Sequence, residues 1–154
     1  MLTDLERQEI EQQLAHYPDR RAACVDALKI VQRHRLWVSD EDLKSVADLL
    51  EMTPDELDGV ATFYNLIFRK PVGRHVVFLC NSISCWIMGY ERLHDQAKRR
   101  LGIDYGQTTP DQRFTLLPIV CLGACDHAPA MMVDEDLHGK VTPDHINVVL
   151  ERYQ

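Results

Sequence analysis

Two short stretches concentrate the chemistry of this sequence: CNSISC, beginning at Cys80, and CLGAC, beginning at Cys121. Four of the five cysteines fall in these pairs. Cys80 and Cys85 would stand about 140° apart on a helix of 3.6 residues per turn, so the chain must bend to bring them together. Cys121 and Cys125 could share a helical face, but Gly123 between them and Pro118 just before favour a turning loop. Two bends carrying two thiolates each can enclose a small metal centre. Zinc accepts four thiolates and tolerates such spacings. A 2Fe-2S cluster also takes four, two on each iron. That cluster is a dianion when oxidised and gains a further negative charge on reduction, so it needs donors. Backbone N–H groups in loops of small residues can approach sulfur closely, Ser82 and Ser84 offer hydroxyls, and a helix beginning near Trp86 would direct its positive end at the site. Disulfide-exchange chemistry of the thioredoxin type asks for C-x-x-C, and neither pair has that spacing.

The rest of the composition narrows the partners. A net charge of -7 over 154 residues repels phosphate backbones and anionic headgroups, which argues against nucleic acid or a membrane surface as the main partner. The basic run Lys98-Arg99-Arg100 falls late in an expected helix, where the dipole favours cations and solvent takes the charge. The longest apolar runs, such as Val76 to Cys80, are far shorter than the roughly 18 to 20 residues of a membrane span. The start, MLTDLERQEIEQQ, is acidic and helical, without the features of a secretory signal or transit peptide. The expectation is a bacterial cytoplasm, where thiols stay reduced and paired cysteines bind metal or do redox chemistry.

The elements that must position the cysteines fall into two parts. Residues 1–70 read as an N-terminal helical bundle. Ala23, Ala27, Ile30 and Val31 recur at helical spacing, and Ser39 with Asp42 opens a helix through Leu43, Val46, Ala47 and Leu50. Thr53-Pro54-Asp55-Glu56 is a capped start for a helix burying Leu57, Val60, Ala61 and Tyr64. Pro71-Val72-Gly73 breaks this pattern, and residues 71–154 read as β/α. A strand is predicted from His75 to Leu79, a helix from Trp86 to Leu101 closed by Gly102, and a second strand from Arg113 to Leu117, which implies a parallel crossover. Met131 to Val133 and Lys140-Val141 are predicted to form a hairpin, and Thr142-Pro143 to open a last helix. The order β-α-β, β-β-α is that of a thioredoxin-like core, with each cysteine pair just past one of the two parallel strands, where open α/β sheets build sites.

The stretches GVATFYNLIF from Gly59, PVGRHVVFLCNSISC from Pro71 and GQTTPDQRFTLLPIVCLGACDHAPAMMVDED from Gly106 carry a chain-long resemblance. The sequence resembles the thioredoxin-like 2Fe-2S subunit of respiratory NADH:quinone oxidoreductase, complex I. The resemblance implies an α/β thioredoxin-like 2Fe-2S ferredoxin domain preceded by the helical bundle. It implies one 2Fe-2S cluster, with Cys80 and Cys85 on one iron and Cys121 and Cys125 on the other. It also implies a partner subunit that itself binds FMN and NADH, a place in the peripheral arm on the cytoplasmic side of the inner membrane, and, with no presequence, a bacterial member. The chain would then be an electron carrier within an oxidoreductase, its cluster lying among apolar residues Ile83, Val120 and Leu122, with the helical segment as a docking element. Two alternatives accompany this reading: the equivalent small subunit of an NAD-dependent formate dehydrogenase or hydrogenase, and a zinc-stapled interaction module. Cys24 reads as a small core residue, His75, His94 and His145 as surface or half-buried groups, and Trp86 as a shield for the centre or a helix-packing residue. His127 is a further donor candidate, one of Met131 and Met132 should be core, and the isomer of Pro129 stays open.

Overall fold

The structure, a computed structural model, describes residues 1–153 and separates into two compact units, Met1–Pro71 and Val72–Gln154. The first is helical: α1 (Asp4–Leu14), α2 (Cys24–Arg35), α3 (Asp40–Leu50) and α4 (Pro54–Phe63). Three of these helices begin on reciprocal capping boxes, Thr3 with Glu6, Ser39 with Asp42 and Thr53 with Glu56, with Pro54 in the first turn of α4. Their inward faces close a core around Ile10, Leu28, Val31, Val46, Leu50 and Leu57, against which Cys24 packs half-buried. Helix α4 stops one residue short of Tyr64, whose backbone is extended, so that Tyr64 is exposed instead of buried as predicted. The chain after α4 is stitched back by Gln32, which donates to Leu66 O at 2.8 Å and accepts from Phe68 N–H at 2.6 Å. Arg69 pairs with both Asp58 (2.8 Å) and Asp40 (2.7 Å).

The second unit is a five-stranded sheet with helices. In chain order it comprises β1 (His75–Cys80), α5 (Ile83–Ile87), α6 (Tyr90–Leu101), β2 (Gln107–Thr108), β3 (Phe114–Ile119), β4 (Met131–Val133), β5 (Asp136–His138) and α7 (Pro143–Leu150). The sheet order is β2-β3-β1-β4-β5, with β1 and β3 parallel and the other pairings antiparallel. Strand β1 is central and apolar along its length, as expected of a strand covered on both faces, and His75↔Phe114 through Cys80↔Ile119 fixes the parallel register. Residues 113 and 119 bond toward β1 while Phe114 and Leu116 bond toward β2. Pro118, in the same phase as Leu116, therefore turns its missing N–H to the side where β2 has already ended.

The elements differ from the predicted ones in three places. The helix predicted from Trp86 to Leu101 begins at Ile83 and is broken at Gly89, whose φ of +105° ends one helical path and starts another. The second hairpin strand is Asp136–His138, while Val141 is a buried residue of the segment leading to α7. Strand β2 has no counterpart in the predicted elements, because two residues carry no periodic signal. Met131 is fully buried and Met132 half-buried, and the Ala128–Pro129 bond is cis.

Candidate metal centre

Both cysteine pairs lie at the carboxyl ends of the two parallel strands. Cys80 is the last residue of β1, and Cys85 sits inside the short helix α5 instead of in a pure loop; each is almost fully buried. Cys121 follows β3 by two residues and Cys125 opens a single 3-10 turn, Cys125–His127; both are exposed. The two loops leave the sheet locked together, since Asn81 N–H donates to Ile119 O at 3.0 Å. The Cys80 thiol lies within hydrogen-bonding reach of Cys85, and Cys125 is near enough to act on the same sulfur through its field. Cys121 keeps to its own turn, accepting Gly123 N–H at 3.3 Å.

Burial acts on one thiol of the first pair. Burial pushes the Cys85 thiol up to about 11, the Ala130 N–H that bonds its sulfur opposes this, and neighbouring Cys80 adds to the rise. At neutral pH the free thiol is protonated, and a metal binding there would have to displace that proton. One backbone donor reaches sulfur as expected, Gly123 within the second loop, and another, Ala130, comes from outside both loops. Among the described residues, neither Ser82 nor Ser84 gives a side-chain hydrogen bond to a cysteine, and Ser82 caps α5 without one.

Ile83 (65 % exposed), Trp86 (54 %), Ile87 (69 %), Met88 (59 %) and Val120 (69 %) stand outward around the cysteines. The sequence leads one to expect the centre among Ile83, Val120 and Leu122, with Trp86 shielding it or packing a helix. Ile83, Trp86 and Val120 form an exposed apolar rim and Leu122 is half-buried, with Trp86 Nε1 donating to Glu91 at 3.2 Å. His127 pairs with Asp126 at 2.8 Å. His75 and His94 are half-buried and His145 exposed. The residues that sequence reasoning misses are Ala130, whose N–H reaches the Cys85 sulfur, and the Ile87-Met88 part of the rim, which belongs to the unexpected helix α5; nothing in the local sequence marks Ala130.

The donor set fits an iron-sulfur cluster. Four sulfurs, two from each loop, match the two thiolates that each iron of a binuclear cluster takes. Among the described residues no three Cys, His, Asp or Glu side chains are grouped as a single-ion site. A thioredoxin-like sheet with a cysteine pair beyond each of its two parallel strands defines a small cluster-binding ferredoxin. Residues 10–154 match the thioredoxin-like 2Fe-2S ferredoxin family, and the chain belongs to it.

More particularly, the chain is 49% identical over 153 residues to the E-type subunit of the NADH-quinone oxidoreductase of Pseudomonas aeruginosa, spanning 99% of this chain and 92% of the relative. The protein of the same name from Escherichia coli is 50% identical over 153 residues, with the same coverage. Among solved structures, an NAD+-reducing NiFe hydrogenase in the air-oxidised state superposes with a TM-score of 0.72 over 86% of this chain at 22% identity, a likeness of fold. The chain spans 23% of that hydrogenase chain's length.

Proposed function

We propose that the chain is the electron-carrying subunit of a proton-translocating NADH:quinone oxidoreductase, with Cys80, Cys85, Cys121 and Cys125 holding one 2Fe-2S cluster. The observation that carries this reading is the pairing of two cysteine loops on adjacent parallel strands in a chain half-identical, over 99% of its length, to a subunit of NADH-quinone oxidoreductase. When bound, the cluster supplies a one-electron carrier. The protein's part is to position it and tune its surroundings. Strands β1 and β3 fix the spacing of the two loops, Gly123 and Ala130 direct N–H groups at sulfur, and burial of Cys80 and Cys85 keeps water from one side.

The rim of Ile83, Trp86, Ile87, Met88 and Val120 is the surface that a subunit binding FMN and NADH would cover, drying the exposed side of the site and bringing its flavin within electron-exchange distance. A second apolar surface, Phe63 (79 % exposed), Tyr64 and Leu66, marks the helical unit as a docking element for the peripheral arm. Among the described residues no helix is long and apolar enough to cross a membrane. The place proposed for the chain, through its partner, is peripheral on the cytoplasmic side of the inner membrane. The isolated chain purified without oxygen should contain two irons and two acid-labile sulfides and bleach with dithionite. One zinc and no labile sulfide would refute the reading in favour of a zinc-stapled module. The hydrogenase likeness favours a second reading, the corresponding subunit of an NAD-linked hydrogenase or formate dehydrogenase; co-purification of a tagged chain with hydrogen- or formate-oxidising activity and no quinone reductase would establish it.

A further inference from the structure

The structure assigns to Gly139 a positioning role for the metal centre: its missing side chain lets the Gly139–Val141 segment press against His127–Ala130, the strut that ties the second cysteine loop to the first. This inference rests on the proposed cluster site.

The strut is held from both sides. On one, Lys140 N–H donates to His127 O at 2.6 Å and Val141 N–H donates to Pro129 O at 3.0 Å. On the other, Ala130 O accepts from Cys80 N–H at 3.1 Å, and the Ala130 N–H reaches the Cys85 sulfur. At its start, His127 N–H returns to Ala124 O at 3.0 Å and Ala128 N–H to Cys125 O at 3.3 Å, closing the turn that carries Cys125. Cys125 is thus linked to Cys80 and Cys85 through four residues whose backbone groups are committed at both ends. Lys140 is held in the left-handed region, with φ of +52°, which the surrounding bonds must maintain.

Gly139 is where this arrangement admits no alternative. A Cβ on it would stand 2.5 Å from His127 Cβ, 3.1 Å from His127 O and 3.3 Å from His127 Cγ. The demand is for space and not for backbone freedom, because Gly139 lies outside the left-handed region. A methyl group there must push His127 away, and with it either the Cys125 turn or Ala130.

The test compares Gly139→Ala, His127→Gly and the double variant in the full-length chain, with Gly59→Ala, whose Cβ meets nothing within 4 Å, as control. Three quantities are read: iron loss to a chelator, the midpoint potential, and the electron paramagnetic resonance line shape of the reduced cluster. Gly139→Ala is expected to speed iron loss about tenfold, the scale of a group supporting metal ligands, and to move both potential and line shape in the fraction that stays loaded. His127→Gly removes the Cβ and Cγ that clash and leaves only the 3.1 Å approach to His127 O, so adding Gly139→Ala to it should move potential, line shape and iron loss far less than adding Gly139→Ala to wild type. Wild-type potential and line shape in Gly139→Ala, or a double variant displaced from His127→Gly as far as Gly139→Ala is from wild type, overturns the inference. If the unsubstituted chain holds no labile sulfide, the proposed function itself fails, which is a separate outcome.

Discussion

Replacing Arg35 with methionine should be among the most destabilising single changes in the helical unit. The Arg35 guanidinium grips Glu6 with two parallel bonds, Nε to Oε1 and Nη2 to Oε2, both at 2.6 Å, and its Nη1 bonds Asp42. Glu6 is 2 % exposed and Asp42 5 %. Both carboxylates also serve caps, Glu6 accepting Thr3 N–H at 2.7 Å and Asp42 accepting Ser39 Oγ at 2.7 Å. Without Arg35, two buried carboxylates remain with no cation between them, a situation that costs about 3–5 kcal/mol. The titration of Glu6 gives a second measure. The Arg35 hydrogen bonds, and after them the Thr3 bonds, hold its carboxyl at about 2 against 4.5, which corresponds to about 3 kcal/mol from this group. Because the folded value is the lower one, this stability is complete above pH 4.5 and is lost as pH falls from there toward 2. Urea unfolding followed by the fluorescence of half-buried Trp37, from about pH 7 down to about pH 3, should therefore show a loss near 3 kcal/mol at neutral pH in Arg35→Met and a flattened acid limb. A loss under about 1 kcal/mol, or an acid limb matching wild type, refutes the argument.

Cys125→Ala should lose the visible absorbance of the cluster while Cys24→Ala, a half-buried residue packed on the helical core, keeps it; the reverse pattern would reassign the ligands. Gly89→Ala forces a side chain into φ +105° and should lower stability by about 1–3 kcal/mol on thermal melting, as it opposes the break between α5 and α6. Phe63→Ser combined with Leu66→Ser should leave iron content unchanged and, on the docking role proposed for this surface, weaken association with the proposed flavin-binding partner in pull-down. Those exposed positions are better probes than truncation of residues 1–35, since Ile10, Leu28 and Val31 belong to the core and their removal would unfold the unit. Thr53→Ala removes a capping box and should cost about 1 kcal/mol in urea.

The centre's frame is legible in the sequence because its signals are local. Apolar runs at His75–Cys80 and Phe114–Ile119, a helix between them and paired cysteines after each are all written in consecutive residues. Capping boxes at Ser39 and Thr53 are readable for the same reason. What escapes depends on distant chain. Strand β2 exists only because β3 offers it partners, and Val141 looks like a strand residue yet is buried by packing near α7. The exposure of Ile83, Trp86 and Val120 cannot be read from apolar character alone, since a folded protein leaves many apolar groups on its surface. The Ala130 contact with Cys85 joins residues far apart in the chain and leaves no local trace.

Pro118 has a consequence for the life of the chain before assembly. Sheets with open flanks recruit copies of themselves, and beyond Leu116 the β3 flank would be such an invitation beside the cysteine loops. The absent donor at Pro118 denies an incoming strand its ladder there. An unassembled chain therefore offers one ladder donor fewer along that border to fibre-like stacking.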